Sequence, residues 1–221
     1  MEIFDDLEQG TDAWFRARSG IPTASEFSTV LAKGKKGEES LTRAKYMRKL
    51  AAERITGEPG ETFSTPAMER GKVMEAEARN LYAFLTNADP HCVGFIRNGD
   101  KGCSPDALIG IGGMLEIKTQ RADLLIETLL RDDFPPEHKA QCQGALWVAE
   151  RDYIDLMVFW PGMTPFLRRA FRDEAYIDNL RKELARFNEE LEALVERVRK
   201  IEPPRLREPE MPREMQRMGA G

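Results

Sequence analysis

Ser104-Pro-Asp-Ala-Leu-Ile-Gly-Ile-Gly-Gly-Met-Leu-Glu-Ile-Lys118 places two acids and a lysine inside apolar, strand-like sequence. Asp106 precedes Ala107-Leu108-Ile109. Gly110, Gly112 and Gly113 supply a turn, and the chain returns through Met114 to Lys118. Two short apolar runs around a Gly-rich turn predict a β-hairpin. Side chains alternate faces along a strand, so Glu116 and Lys118 share one face while Leu115 and Ile117 share the other. Asp106 can reach the first of these from across the hairpin. A charge in a buried strand is costly unless paired or bound to metal. Two carboxylates converging beside a lysine suit a hard cation. The ordinary alternative is a turn aspartate followed by a solvated Glu-x-Lys face, but the flanking Ile, Leu and Gly leave little water for it.

A second unusual acid lies in a predicted helix that starts at Thr65-Pro66, with Pro at its first position, and runs to about Leu85. Glu75 shares a stripe with Met68, Gly71, Ala78 and Tyr82, which turns it inward. Pairing with Lys72 and Arg79 at helical spacing would instead tie it to the surface.

Around these lie further elements. A short helix spans Thr11 to Arg18, ended by Gly20 and Pro22. Thr23-Ala-Ser-Glu26 fits a capping box before a helix from Phe27 to Ala32. Another helix runs from about Leu41 to Ile55 and stops at Gly57. Strands are expected near Val93–Arg97, Asp106–Ile111 and Met114–Lys118. Helices follow near Ala122–Leu130 and Glu137–Ala149, then strands at Tyr153–Trp160 and Pro165–Phe171. This mixture indicates α/β or α+β organisation. Ile177, Leu180, Leu184, Phe187, Leu191, Leu194, Val198 and Ile201 form a heptad seam in a long last helix, which packs on its own domain or on another subunit. Pro203-Pro204 ends it. Residues 1–202 are expected to form one domain, and 203–221 a mobile or neighbour-docking tail.

Composition narrows the chemistry. The 221 residues carry a net charge of −5, so the chain as a whole does not advertise nucleic-acid binding. The basic stretch from Lys33 to Gly37 is either a solvated loop or a DNA-backbone contact. No run approaches a membrane span, and the acidic N-terminus lacks a signal-like apolar region. Cys92, Cys103 and Cys142 are scattered, which argues for reduced thiols in a cytoplasm and against a disulfide framework, a zinc site or an iron–sulfur cluster. With only His91 and His138, a histidine metal cage or a Ser-His-Asp triad is disfavoured.

Together these features resemble the PD-(D/E)XK nuclease superfamily, and within it the phage lambda exonuclease family. The core motif is Ser104-Pro105-Asp106 followed by Glu116-Ile117-Lys118. Glu8-Gln9-Gly10, Asp12-Ala13-Trp14, Arg18, Gly20 and Thr23 to Glu26 look like the family's N-terminal segment. Arg70-Gly71-Lys72 with Glu75 and Ala78-Arg79 looks like its acidic helix, and Ala140-Gln141-Cys142-Gln143 with Trp147 like its glutamine motif. The blocks run in one order from about Glu8 to Trp160; the C-terminal helix and tail are not covered. Members often carry Tyr after the glutamine motif, where this chain has Gly144.

The resemblance implies an α/β fold with a mixed central sheet flanked by helices, to which the heptad seam adds a long C-terminal helix. It implies a Mg²⁺-dependent enzyme, with Mn²⁺ as a substitute, that degrades one strand of linear double-stranded DNA from the 5′ end to 5′-mononucleotides. The 3′ overhang left behind would serve a single-strand annealing recombinase, and the enzyme would be a homotrimeric ring. Asp106, Glu116 and the Ile117 carbonyl would hold one metal, with Glu75 and Asp106 reaching a second. Lys118 would orient the attacking water or help deprotonate it, and Gln141 would position Lys118 or the phosphate. Arg18 and Ser25, with Ser104, would bind the 5′-phosphate. Without the resemblance, Ser25 reads as a neighbour of a helix cap and Arg18 as a surface residue. An endonuclease of the same superfamily, a non-catalytic DNA-binding scaffold and a coiled-coil interaction protein are the rival readings.

Overall fold

A computed structural model describes residues 1–34, 40–60 and 66–202. Most of the basic stretch, Thr65, the side chains of Met68 and Lys72, and the tail 203–221 lie outside the described residues. Seven helices and eight strands are seen among them. The helices are α1 (Asp12–Arg18), α2 (Phe27–Leu31), α3 (Leu41–Thr56), α4 (Pro66–Thr86), α5 (Ala122–Arg131), α6 (Lys139–Ala149) and α7 (Glu174–Arg199). The strands are β1 (Glu2–Phe4), β2 (Pro90–His91), β3 (Phe95–Asn98), β4 (Lys101–Cys103), β5 (Ala107–Ile109), β6 (Gly113–Thr119), β7 (Tyr153–Phe159) and β8 (Phe166–Phe171).

The expected hairpin is β5–β6, with Ala107 opposite Leu115 and Ile109 opposite Gly113. Gly110 carries the turn at φ +53°, a conformation other residues adopt at a cost. β6 then becomes the centre of a five-stranded sheet ordered β2-β5-β6-β7-β8. It runs parallel to β7 over seven residue pairs, while the other pairings are antiparallel. Parallel neighbours need a long crossover, and α5 and α6 provide it.

Both faces of β6 and β7 are covered, which is why these strands read as nearly continuous apolar runs. Met114, Ile154, Leu156 and Val158 join a core with α2, α3, α6 and α7. Leu115, Ile117, Met157 and Phe159 join a smaller one with Ala78 and Tyr82 of α4. Ile177, Leu180, Leu184, Phe187 and Leu191 of α7 are buried on its own domain. The stripe then passes to Val195, leaving Val198 and Ile201 exposed. A straight helix drifts by about 20° per heptad, so the strict heptad seam expected from sequence fails in its last turns.

Three strands went unforeseen: β2, two residues at the edge of the large sheet, and the pair β1 and β4. β1 and β4 flank β3 in a separate antiparallel sheet. Each has three residues, too few to show a period, and Phe4 finds its partner in Phe95, with ring centroids 6.1 Å apart.

Gly144 has a packing role. A Cβ there would lie 2.2 Å from Phe27 Cδ2, so glycine lets α6 approach α2. Gly144→Ala is expected to cost about 1–3 kcal/mol by overpacking, read as a lower denaturant midpoint. Combining it with Phe27→Leu should cost less than the sum of the two single changes.

Candidate active site

β6 presents Glu116 and Lys118 on the face that meets α6. Glu116 is only 3% exposed. Its Oε1 accepts from Lys118 Nζ at 2.7 Å and from Gln141 Nε2 of α6. Asp106, one step before β5, takes the position opposite Glu116. Its N–H donates to the Leu115 carbonyl (3.1 Å), and its Oδ2 accepts from the Ile117 N–H (2.5 Å). Ile117 itself is buried in the smaller core on the other face. Glu75 approaches from α4, where Gly71, one turn earlier, lies against Thr119 at the end of β6. The Glu75 carboxylate is held by Arg79 and is part-buried. It is therefore both inward-facing and paired at i+4, which joins the two readings that the sequence left open.

The electrostatics follow from this crowding. Burial pushes the Asp106 carboxyl well above its ordinary pKa, and the Glu116 and Glu75 carboxylates push it further. Glu75 is raised by burial and then by Glu116, with Arg79 opposing. Lys118 loses stability as a cation through burial, but Glu116 and Asp106 outweigh that, so its pKa is raised. Lys118 thus stands as an ammonium group rather than a ready base. Gln141 engages Glu116 rather than Lys118. Both Gln141 and Lys118 donate to one oxygen, and this fixes the Glu116 rotamer.

Among the described residues no three acid, thiol or imidazole groups form a closed metal cage. Each acid instead faces a protein donor: Ile117 N–H, Lys118 and Gln141, or Arg79. The donor set still fits a hard divalent cation. It offers carboxylate oxygens, and the mutual repulsion that adds to burial in raising Asp106 and Glu75 is what such a cation relieves.

A second group of side chains borders the same space. Arg18, at the end of α1, stacks its guanidinium 3.9 Å from the Trp14 ring centroid. Its hydrogen bonds go to the hydroxyls of Thr23 (3.2 Å) and Ser25 (3.5 Å). Among the described residues no carboxylate forms an ion pair with it, and burial lowers its pKa. The Trp14 indole N–H donates to Ser104 Oγ at 3.1 Å and to the Gly94 carbonyl at 2.8 Å. Arg18, Ser25 and Ser104 therefore come together, as expected. One cavity of about 170 Å³ is lined by these three and by Asp106, Glu116 and Gln141.

The capping box does not form. Ala24–Glu26 is a 3-10 turn, Thr23 makes no side-chain cap, and Glu26 instead accepts from the Thr29 hydroxyl. The Thr23 hydroxyl accepts from Arg18 instead. Tyr46 and Glu53 of α3 hold this segment: the Thr23 N–H donates to Tyr46 Oη (3.2 Å) and the Gly20 N–H to Glu53 (2.8 Å). Gln9, part of the N-terminal block but given no role by it, also matters. Its amide donates to the carbonyls of Val93 and Pro105, which fixes the approach to Asp106. Asp155, in the middle of apolar β7, went unnoticed although the signal that exposed Glu116 applies to it equally.

A family model for the YqaJ-like viral recombinase domain matches residues 13–152, which include every site residue named above except Gln9 and Asp155. An alkaline exonuclease from Laribacter hongkongensis shares 31% identity with a TM-score of 0.77, over 86% of this chain and 97% of that one. The structure of that exonuclease in complex with dAMP gives 32% and 0.78 over the same shares. A phage-related exonuclease from Haemophilus somnus, 13% identical with a TM-score of 0.59 over 80% and 96%, shares the fold. No curated protein matches the chain in sequence. The expected fold, a PD-(D/E)XK-type core with a mixed central sheet and a long C-terminal helix, is the one observed.

The raised Asp106 carboxyl has a consequence for stability. Its folded pKa lies above its unfolded one, so the folded state holds the proton more tightly. Stability contributed by this group is present below the unfolded pKa and is lost as pH rises through the folded one. At neutral and alkaline pH, Asp106→Asn is therefore expected to raise Tm by several degrees in EDTA, because the amide keeps the Ile117 contact and removes the charge. Calorimetric melts at pH 4 and pH 8 check this; the gain should shrink at the lower pH.

Proposed function

Because this chain belongs to the family of YqaJ-like viral recombinase domains, we propose that it is a Mg²⁺-dependent 5′-to-3′ exonuclease acting on linear double-stranded DNA. It degrades one strand to 5′-mononucleotides and leaves a 3′ overhang for a single-strand annealing recombinase. The observation that carries this is the shared cavity: at one side an arginine whose hydrogen bonds, among the described residues, go to hydroxyls, and at the other the crowded carboxylates of Asp106 and Glu116. A terminal phosphate satisfies the first, and a phosphodiester beside a divalent cation satisfies the second. The dAMP complex of the Laribacter exonuclease supports a mononucleotide product.

The cation, Mg²⁺ or Mn²⁺, would be held by Asp106, Glu116 and the Ile117 carbonyl, with Glu75 as a further ligand. When bound, it supplies Lewis-acid stabilisation of the phosphate and lowers the pKa of a water. Lys118 contributes a fixed positive charge that orients the attacking water and offsets charge developing on the phosphate. Gln141 keeps Glu116 in the orientation it needs. Arg18, Ser25 and Ser104 seat the 5′-phosphate, so that one nucleotide is measured off per cut. The free thiols of all three cysteines suit the cytoplasm in which such recombination takes place.

A net charge of −5 gives little electrostatic grip on DNA, so long digestion calls for enclosure, and we place three copies in a ring. The buried seam of α7 is used inside the domain, so ring contacts lie on other surfaces. Light scattering should give three times the chain mass of 25.2 kDa; a monomer that still digests processively would remove this part of the reading.

Chelation by EDTA should abolish cleavage, with recovery on Mg²⁺ or Mn²⁺ addition. Asp106→Ala and Glu116→Gln should be folded and inactive. A covalently closed circle should stay intact, which separates this enzyme from an endonuclease. Lys118→Ala should lower turnover far more than DNA affinity.

Matched duplexes ending in 5′-phosphate or 5′-hydroxyl test the end pocket. Charge-assisted hydrogen bonds contribute roughly 1.5–3 kcal/mol each, so the phosphorylated end should be cut about tenfold to a hundredfold faster. Arg18→Ala should erase most of that preference. Equal wild-type rates on both ends would refute the assignment.

A further inference from the structure

Asp155 lies in the middle of β7, 3% exposed, on the face that turns toward α4. Both of its oxygens are engaged. Arg169, directly opposite on β8, donates from Nε to Oδ1 and from Nη2 to Oδ2, each at 2.8 Å. The Tyr82 hydroxyl of α4 donates to Oδ2 at 2.7 Å. Tyr82 is fully buried, and burial together with Asp155 pushes its pKa up, so it remains a donor. The Arg169 guanidinium is further held 3.9 Å from the Tyr153 ring centroid.

Asp155 is buried but its arginine partner is half exposed, and an ion pair of this kind is weak evidence for stability by itself. It does confer direction. Ala78 and Tyr82 pack α4 on the sheet through apolar contacts, which are non-directional and leave a helix free to rotate. Among the described residues, Tyr82 makes the one side-chain hydrogen bond that ties α4 to the sheet. Glu75 is seven residues earlier, two turns and about 10 Å along the same stripe. Any rotation of α4 allowed by loss of the Tyr82 anchor is therefore passed directly to the Glu75 carboxylate.

We propose that Asp155, Tyr82 and Arg169 are positioning residues for Glu75, fixing the rotation of α4 so that the Glu75 carboxylate faces Asp106 and Glu116. This rests on the nuclease reading above, in which Glu75 is a metal ligand. A misplacement of about 1 Å at a reacting centre costs on the order of a hundredfold in rate, so the anchor matters although it touches neither DNA nor metal.

The test is a double-mutant cycle on the full chain. Mn²⁺ affinity is read by calorimetry without DNA, and single-turnover cleavage is measured with Mg²⁺. Tyr82→Phe keeps the ring and deletes the hydrogen bond. It should weaken Mn²⁺ binding about tenfold and slow cleavage at least tenfold, with KM for DNA unchanged. In a Glu75→Gln background it should weaken Mn²⁺ binding no further, because its effect passes through Glu75. Should Tyr82→Phe fail to fold, Arg169→Lys, which keeps the charge and loses the bidentate fit, carries the same cycle. Wild-type Mn²⁺ affinity and rate in the variant, or losses that add to those of Glu75→Gln, would overturn the proposal. If wild type binds Mn²⁺ but does not cut DNA, the nuclease reading falls, and the calorimetric cycle still decides the positioning role.

Discussion

The charge on Glu116 is the constraint around which the site is arranged. A carboxylate that is 3% exposed needs partners, and it has two on one oxygen, from the next residue but one on its own strand and from α6. β6 must lie between two covered faces to exclude water, and α6 must cross close enough for Gln141 to reach. The close approach of α6 to α2 at Gly144 belongs to the same requirement. Asp106 then has to sit opposite Glu116, and the hairpin turn decides that register.

The two faces of the sheet divide the work. One carries Glu116, Lys118 and the large core with α2, α3, α6 and α7. The other carries the smaller core, against which α4 packs and from which Glu75 is brought toward the cluster. The arrangement holds like charges near one another at a cost in stability, the condition in which a bound divalent cation has most to offer.

The end pocket is assembled differently. Arg18 and Ser25 come from the N-terminal segment, and Ser104 from the short segment between β4 and the carboxylate hairpin. Trp14 joins them by stacking under Arg18 and donating to Ser104. α3 holds the segment from behind through Tyr46 and Glu53. A guanidinium supported by an aromatic ring and neutral hydroxyls is fixed in place without its charge being neutralised, which leaves it free to meet an anion.

Much of this was legible in the residues. The period of two across Met114–Lys118 fixed which side chains share a face. Acids in apolar strands marked Asp106 and Glu116, and Gly57 and Thr11 marked helix ends where the structure has them. Local signals suffice where the cause is local. They failed where a partner distant in sequence decided the outcome. The Thr23 hydroxyl fits a cap by spacing, but in the fold it faces Arg18 and caps nothing. Gln141 could serve any neighbour, and only the crossing of α6 over β6 selects Glu116. β1 and β4 are too short to declare themselves and exist because β3 lies between them. Asp155 carried the same signal as Glu116, yet its meaning depends on Tyr82 and Arg169, 73 and 14 residues away. The sequence by itself determined the α/β class, the hairpin and the chemistry of its acids, because these follow from periodicity and the cost of buried charge. The tertiary structure alone decided which donor holds each carboxylate and that the arginine pocket opens onto the same cavity, because those depend on distances between elements that no local pattern encodes.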